Sequence, residues 1–424
     1  MRLKAGGNND MRILIFGGHY EPDLGPSAPI FTMLCRNLVR LGHQVTMLTM
    51  VPHYPSGRVP RQYQGKWLWK EDDQGVEVIR LGLPSVDRAK LPQRMFQYLA
   101  YQIGATLAGL GKEYDVVFSG SPSISIWLPF TVLVTLRGKP AVYSVYDVYP
   151  SVGIKLGIFR HKLIIDLVSR LERSCLDNAM LVRIISDSFR PDLREMGVPD
   201  EKMVRGYDWV DTDLVRPLPR LNSFSEEKGL TDKFVVMYAG NLGLSQGLEY
   251  VIAAADFLKE QEDILFLFVG DGASREMLQE ETARRGLRNV KFLPFQPRER
   301  LPEVLASANV SLVSLQHGMG SGSLPSKIYS IFASGRPLLI SVDEGSEPWK
   351  LVEQAGAGLC VPPENPASLS AAILYLKNAP HLCQEFGQKG RAWAEKRHSP
   401  QAGAREIESL LLRAIALKQG AKQG

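Results

Sequence analysis

Cysteine is scarce in this chain: Cys35, Cys175, Cys360 and Cys383 stand far apart, and no C-x-x-C pair occurs. That argues against a disulfide framework and the usual zinc spacings, and it suits reduced thiols in the cytoplasm. Long apolar runs are missing as well. The longest, residues 124–136, is interrupted by Pro129 and is too short to cross a bilayer. The opening MRLKAGGNND lacks the apolar stretch of a secretory signal and reads as a disordered leader, residues 1–10, ahead of the strand-like RILIF after Met11. Charge of one sign is not in large excess. The formal net charge of +5 suits an anionic ligand or an acidic lipid surface and is too weak to argue for nucleic acid. Neither G-x-G-x-x-G after a strand nor G-x-x-x-x-G-K-[ST] occurs, which disfavours dinucleotide dehydrogenases and P-loop kinases.

What is present is an alternation of short apolar runs with helical periodicity. With 45% hydrophobic and 22% charged residues, the chain can bury sizeable cores. Strand signals fall at 13–16, 45–48, 76–81, 115–118, 141–145, 181–185 and 203–207. The polar, Pro/Ser-rich text PLPRLNSFSEEKGLTDK, residues 217–233, then reads as a linker. The rhythm restarts with strands at 234–239, 264–269, 290–293, 310–314 and 337–341 and helices at 247–259, 274–286 and 327–334. This predicts an α/β protein of two Rossmann-like domains with parallel sheets, residues 11–216 and 234–397. A final helix over 402–418, within 398–424, is expected to pack back on the first domain. In such sheets ligands sit at the carboxyl ends of the strands, and facing sheets would share one cleft.

Several loops at predicted strand ends carry candidate chemistry. QHGMGSGSLPSKIYSIFASGRP brings glycines, Ser323, Ser326 and Lys327 to the start of a helix, which suits a diphosphate because backbone amides, hydroxyls and one cation converge there. Ser323 or Ser326 is expected to cap that helix. YAGNLGLSQGLE offers Gly240, Asn241 and Gln246, and FVGDGASREML offers Gly270 and Gly272. In the first half, GGHYEPDLGPSAP carries His19, Tyr20, Glu21, Asp23 and Gly25; VPHYPSGRV carries His53 and Tyr54; SVYDVYP places Asp147 just past a strand. The D-x-D pair Asp211 and Asp213 reads as a solvated turn for want of a third ligand, and neither metal nor cofactor is expected. Residues 155–173 set Lys155, Arg160, His161, Lys162, Arg170 and Arg173 beside Ile158, Phe159, Leu163, Leu167 and Leu171. Residues 93–110 add Met95, Phe96, Leu99 and Ile103. Such stripes either face a core or lie on anionic lipid.

The segments RILIFGGHYEPDLG, VMYAGNLGLSQGLEYVIAAA, FLFVGDGASREML and PSKIYSIFASGRPLLISVD resemble the retaining GT-B glycosyltransferase family 4. PHYPSGR, DVYP, GNLGLSQGLE and PSKIY are most similar to its bacterial O-antigen and colanic-acid N-acetylfucosaminyltransferase-like subgroup (the WbuB and WcaI types). The resemblance implies a GT-B fold and transfer of a sugar, with retention and without metal, from a nucleotide sugar, UDP-linked, to a lipid-linked or saccharide acceptor. It implies an enzyme on the cytoplasmic side of the inner membrane, peripheral to it.

Carried over by position, the resemblance puts the donor on Gly240, Asn241, Gln246, Gly270, Gly272, Leu293, Pro294, Gly322, Ser323, Ser326, Lys327 and Ser330. The acceptor falls to His19, Tyr20, Glu21, Gly25, His53 and Tyr54, and catalysis to Asp147 and Lys327. The family's two glutamates of E-x7-E fall on Gly322 and Ser330, and its Arg and Lys on Asn241 and Gln246. Those departures keep two alternatives open: an epimerase or phosphorylase of the same fold, and a glycosyltransferase-like scaffold without activity.

Overall fold

The computed structural model describes residues 10–86, 90–155, 159, 161–319 and 324–421. Most of the expected leader thus lies outside the described residues, as do Gly322, Ser323, Ile158 and Arg160. The chain divides into two compact units, Met1–Tyr207 with Gly403–Gly424, and Asp208–Ala402.

The first unit is built on an eight-stranded sheet. Its strands are β1 (Arg12–Phe16), β2 (Gln44–Met50), β3 (Leu68–Asp73), β4 (Val76–Leu81), β5 (Val116–Gly120), β6 (Ala141–Val145), β7 (Leu181–Ile184) and β8 (Met203–Arg205), in the spatial order β3-β4-β2-β1-β5-β6-β7-β8. β5, β6 and β7 are buried along their whole length, as a parallel sheet covered on both faces requires. Helix Ala28–Arg40 follows β1; it starts with a proline in its first turn, buries Phe31, Leu34, Cys35 and Leu38, and is followed by Gly42 at φ +98°. The order of strands reverses between β1 and β5, so the loops after them flank a crevice.

β3 has no counterpart in the sequence reading, and it runs antiparallel to β4. Its text LWKEDD is charged because it is an edge strand, and charges on an edge discourage pairing with other chains. The hairpin turns at Gln74 and Gly75, both at positive φ.

The expected linker is also corrected. Residues 217–233 lie inside the second unit, and the chain passes from one unit to the other at Tyr207–Asp208 and again at Ala402–Gly403. Asn222 caps helix Ser223–Glu227 in a reciprocal capping box with Ser225, and Phe224 and Leu230 are fully buried. A polar, proline-rich stretch looked loose because its anchors are only two apolar residues and one cap.

The second unit carries β9 (Phe234–Ala239), β10 (Ile264–Val269), β11 (Val290–Leu293), β12 (Val310–Ser314), β13 (Leu338–Ser341) and β14 (Gly358–Val361). All its pairs are parallel, in the order β11-β10-β9-β12-β13-β14, and the order reverses between β9 and β12. The loops after β9 and β12 therefore bound this unit's crevice.

Helix Pro400–Gly420 is tied to the first unit by Glu408, which faces His43 Nε2 at 3.0 Å, and by a buried cation. Arg183 on β7 is fully buried; its Nε donates to Glu406 Oε1 (3.0 Å), its Nη1 to Ser144 Oγ (3.0 Å) and its Nη2 to the Tyr207 carbonyl (2.5 Å). Glu406 Oε2 also accepts the Tyr207 amide at 3.1 Å. Gly206 makes room, since a Cβ there would stand 2.3 Å from Glu406 Oε1. Removing Glu406 strands a buried guanidinium, so Glu406→Ala is expected to cost about 3–5 kcal/mol in chemical denaturation. Asp200→Ala, which strips an exposed pair from Arg194, should leave the midpoint nearly unchanged.

Candidate functional site

In the second unit the predicted donor loops do meet. Gly240 follows β9 at φ +138°, and Gly270 follows β10 at φ +152°. A Cβ on Gly270 would stand 1.9 Å from the Gly240 carbonyl oxygen, and one on Gly272 would stand 2.6 Å from Asn241 Oδ1. Only glycine lets these two loops run against each other. Leu242 N donates to Asp271 O (2.9 Å), Ser274 N donates to Leu242 O (2.9 Å), and Gly270 N donates to Leu293 O (3.0 Å). Arg275 Nη1 adds bonds to the Gly270 and Leu293 carbonyls, a clasp that sequence reasoning missed.

Lys327, first residue of helix Lys327–Ala333, reaches from the β12 side to the β9 side. Its Nζ donates to Tyr238 Oη (2.5 Å) and to Gln246 Oε1 (3.4 Å), and it lies 4.0 Å from the centre of the Tyr238 ring. Tyr238 in turn donates to Asn241 O at 2.8 Å. Among the described residues Lys327 is in no ion pair. Burial lowers its ammonium pKa to about 8. Tyr238 opens the motif YAGNLGLSQGLE and was given no role of its own; its hydroxyl, at the exit of β9, holds the cation together with Gln246.

Beside Lys327 is a cavity of about 160 Å³, lined among others by Ala239, Gly240, Phe295, Gln296, Lys327 and Ser330. Phe295 and Gln296 line it, whereas Leu293 ends β11 and gives its carbonyl to Gly270, and Pro294 is exposed on the turn. Ser326 precedes the helix without a side-chain cap bond, so the expected capping role is not seen there. The amides of Ile328 and Tyr329 are taken by Pro325 O and Ser326 O. The cation, more than a fan of amides, marks this crevice.

In the first unit the loops after β1 and β2 are organised by Asp23, which was noted in the sequence but not assigned a role. Its buried carboxylate accepts from the amides of Gly25 (2.9 Å), His53 (3.3 Å) and Tyr54 (3.3 Å) and lies 3.2 Å from the Nδ1 atoms of both His19 and His53. These N–H groups hold its carboxyl well below the usual carboxylate range against the opposing effect of burial. The two imidazoles stack with centroids 5.3 Å apart, and a Cβ on Gly25 would strike the His19 ring.

His19, Asp23 and His53 converge as three metal ligands might be arranged, their donor atoms within 4.8 Å of one another. Hydrogen bonds already engage the Nδ1 side: His53 Nδ1 also faces the Val51 carbonyl at 3.0 Å, which calls for a proton on that nitrogen and leaves the ring's lone pair on Nε2, buried with no partner among the described residues.

Tyr20, expected at the acceptor, is buried. Its hydroxyl donates to Asp73 Oδ2 (2.6 Å) on β3, where Arg36 Nε (2.9 Å) and Nη2 (3.0 Å) also bind. It pins the loop from beneath and does not offer a group to a ligand. Glu21 lies 3.6 Å from Arg36 Nη1, while Tyr54 packs edge-on to His19. Asp147 stands at the loop surface after β6, its amide held by Ser121 Oγ (3.3 Å), and crowding raises its carboxyl above the ordinary value by desolvation. The Asp211–Asp213 segment forms a turn in which Asp211 Oδ1 accepts the amides of Asp213 (3.2 Å) and Leu214 (2.9 Å).

Comparison with known proteins adds independent findings. Residues 222–393 match the family model "Glycosyl transferases group 1", and residues 27–206 match "Glycosyl transferase 4-like domain". The chain is 28% identical over 392 residues to a protein named for colanic acid biosynthesis, the glycosyl transferase WcaI of Escherichia coli (strain K12), covering 89% of this chain and 96% of the relative. It is 26% identical over 281 residues to the glycosyltransferase WbjE of Pseudomonas aeruginosa, covering 65% and 69%. Among solved structures, a sucrose-phosphate synthase from Thermosynechococcus elongatus superposes with a TM-score of 0.69 at 19% identity, over 96% of this chain and 100% of that one. HepE of Anabaena, solved with UDP-glucose, superposes with a TM-score of 0.66 at 16% identity, over 95% and 100%. The fold is GT-B, and the matches support a GT-B glycosyltransferase.

The Asp23 cluster yields a direct test. Asp23→Asn keeps the shape but aims an N–H₂ group at N–H donors, so the melting temperature at neutral pH should fall. Because the native carboxyl is held below its unfolded value near 3.9, its stabilisation is present above that pH and fades as acid is added. The gap between wild type and variant, followed by circular dichroism, should therefore narrow below about pH 4; a gap that stays constant with pH would contradict the account.

Proposed function

We propose that this chain is a retaining glycosyltransferase of bacterial surface polysaccharide assembly. It moves a sugar, an N-acetylated hexosamine or a deoxysugar, from a UDP-linked donor to a lipid-linked or saccharide acceptor. The names of WcaI and WbjE support the reaction class, and the UDP-glucose complex of HepE supports the donor class. One observation carries the reading. Lys327 is a largely buried cation with no carboxylate partner among the described residues, at the point where the strand order reverses and beside a cavity of about 160 Å³.

The donor's diphosphate would be the missing counter-ion. Lys327 would bind it in the ground state and stabilise the charge that grows on it as the glycosidic bond breaks, which is electrostatic catalysis without a protein nucleophile or a required metal. Phe295, largely exposed at the cavity rim, would stack on the base, with Gln296 and Ser330 as polar partners for base and ribose. Asn241 and the backbone of Gly240, Gly270 and Gly272 would follow the donor's length. In the first unit, His19, Tyr54 and Asp147 would orient the acceptor hydroxyl or the transferred sugar, with Asp23, His53 and Gly25 fixing His19.

Lys327 also makes the reaction pH-dependent in a defined direction. The ammonium is charged below about pH 8 and neutral above it, so donor affinity should be level on the acid side and fall as pH rises through that value. Calorimetric titration of UDP-sugars should show this fall in the wild type and none in Lys327→Met, which binds weakly throughout. Ser330→Glu, one turn along the same helix, would supply an internal partner at i+3 and move the fall to higher pH. Asp147→Asn should lower turnover and leave donor affinity as it was. A chain that binds no nucleotide sugar at any pH would be the inactive scaffold instead.

The acceptor's lipid anchor has a counterpart in the first unit. Helix Leu91–Leu110 exposes Phe96, Leu99, Ile103, Leu107 and Leu110 along one side, and helix Lys162–Asn178 exposes Leu163, Ile164 and Leu167 beside Lys162 and Arg170. Both helices pack against residues 127–136. The buried residues of the second helix are Val168, Glu172, Cys175 and Leu176, so its Leu163 and Leu167 are not core. No helix among the described residues is long and apolar enough to cross a membrane. We read the stripes as a face that lies on anionic lipid. The chain should sediment with vesicles containing phosphatidylglycerol, and the double variant Leu107→Ser, Leu163→Ser should stay in the supernatant.

A further inference from the structure

At the far end of the second unit's sheet, by the amino ends of β12 and β13, is a second cleft, of about 540 Å³. Asn309 precedes β12 and Pro337 precedes β13, so this cleft lies at the opposite end of the strands from Gly240. Its volume falls in the range of sites for small organic ligands. Gly335 at φ +67° and Gly387 form its floor; a Cβ on Gly387 would stand 2.1 Å from the Gly335 carbonyl, so helix Pro380–Trp393 presses onto the turn before β13.

Two guanidinium groups line the cleft, and they are not equivalent. Arg391 is satisfied: its Nε meets Glu395 Oε1 at 2.7 Å, and its Nη1 serves the carbonyls of Thr212 (3.1 Å), Val215 (2.9 Å) and Ala333 (2.8 Å). Arg336 is not. Its Nη2 donates to Leu218 O (2.6 Å), its Nε is buried with no partner, and among the described residues it is in no ion pair. The charged group that acts on it is another cation, Arg220, whose own bonds go to the carbonyls of Leu230 (3.1 Å) and Thr231. Burial and this repulsion both disfavour its charged form. Glu395 on the lining is taken up by Arg391, and Asp232 acts on Arg220, which leaves the buried Nε of Arg336 for an anion.

From this geometry we infer that the cleft is a binding site for a small phosphate monoester, separate from the donor crevice. Arg336 would take the phosphate, because a planar guanidinium matches a phosphate's paired oxygens. Gln384 and Gln388 offer neutral polar groups to an organic body, and Pro217, Pro337 and Cys383 give it apolar walls. Nothing in the inference depends on the donor reading.

The test titrates the full chain with glucose 6-phosphate and with inorganic phosphate by calorimetry. Wild type and Lys327→Ala are compared, so that phosphate entering the other crevice is recognised. Saturable binding of glucose 6-phosphate is expected in both proteins, tighter than that of inorganic phosphate. Arg336→Gln should weaken it by roughly tenfold or more. Gln384 is exposed on the lining, so Gln384→Glu should bring in a repelling charge without disturbing the packing and weaken binding similarly. If Arg336→Gln does not fold, Gln384→Glu alone decides. Binding absent from Lys327→Ala, unchanged in Gln384→Glu, or no tighter for the ester than for inorganic phosphate would each overturn the assignment.

Discussion

A buried ammonium without a carboxylate is expensive to keep, and the second unit is arranged around one. Lys327 is held by a phenol oxygen and a carboxamide, both neutral, and by the face of the Tyr238 ring. A carboxylate in their place would stabilise the resting protein further and would leave less of the charge for a ligand. The β-sheet makes the arrangement possible. Tyr238 leaves β9 and Lys327 follows β12, and the reversal of strand order between those neighbours opens the space in which they meet. The glycines at 240, 270 and 272 then bring the flanking loops into backbone contact, so that the floor of the crevice is rigid where its charge is placed.

The first unit uses the opposite sign. Asp23 is a buried anion surrounded by backbone amides and imidazole nitrogens, and it fixes the loops after β1 and β2 in one conformation. Tyr20 anchors the same loop from below through Asp73 and Arg36. What remains outward is the His19 edge and Tyr54, side chains suited to hydroxyl groups. Ionised groups thus organise both crevices, and in each the charge is preorganised by neighbours that are themselves locked in place.

Much of this was legible in the sequence, for identifiable reasons. Period and turn chemistry revealed the βα rhythm, because strands buried on both faces read as short apolar runs ending in glycine. β3 escaped because an edge strand needs no apolar run, and residues 217–233 looked like a linker because one capping box and two apolar anchors carry little compositional signal. The convergence of the loop glycines and Lys327 was readable since free backbone and a cation are sequence-local features. Tyr238, Arg275 and Asp23 were not, for their roles depend on partners brought near by the fold: Lys327 for the first, carbonyls of two loops for the second, and the amides of His53 and Tyr54 for the third. Tyr20 illustrates the converse, a residue in a suggestive motif whose hydroxyl is spent inside.

The departures at Gly322 and Ser330 take on a different meaning beside Lys327. Gly322 lies outside the described residues, but Ser330 lines the cavity one helical turn from Lys327. A glutamate at that position would stand at i+3 from the lysine, the spacing at which opposite charges on a helix pair. With serine there, the ammonium has no carboxylate partner among the described residues, and desolvation lowers its pKa. The absent carboxylate is therefore less a lost contact than a change in charge balance. On the proposed reading, the crevice would exchange a group able to bind sugar hydroxyls for a stronger demand for an anion, which would place the burden of recognition on the donor's phosphates and leave the hydroxyl pattern of the sugar less constrained.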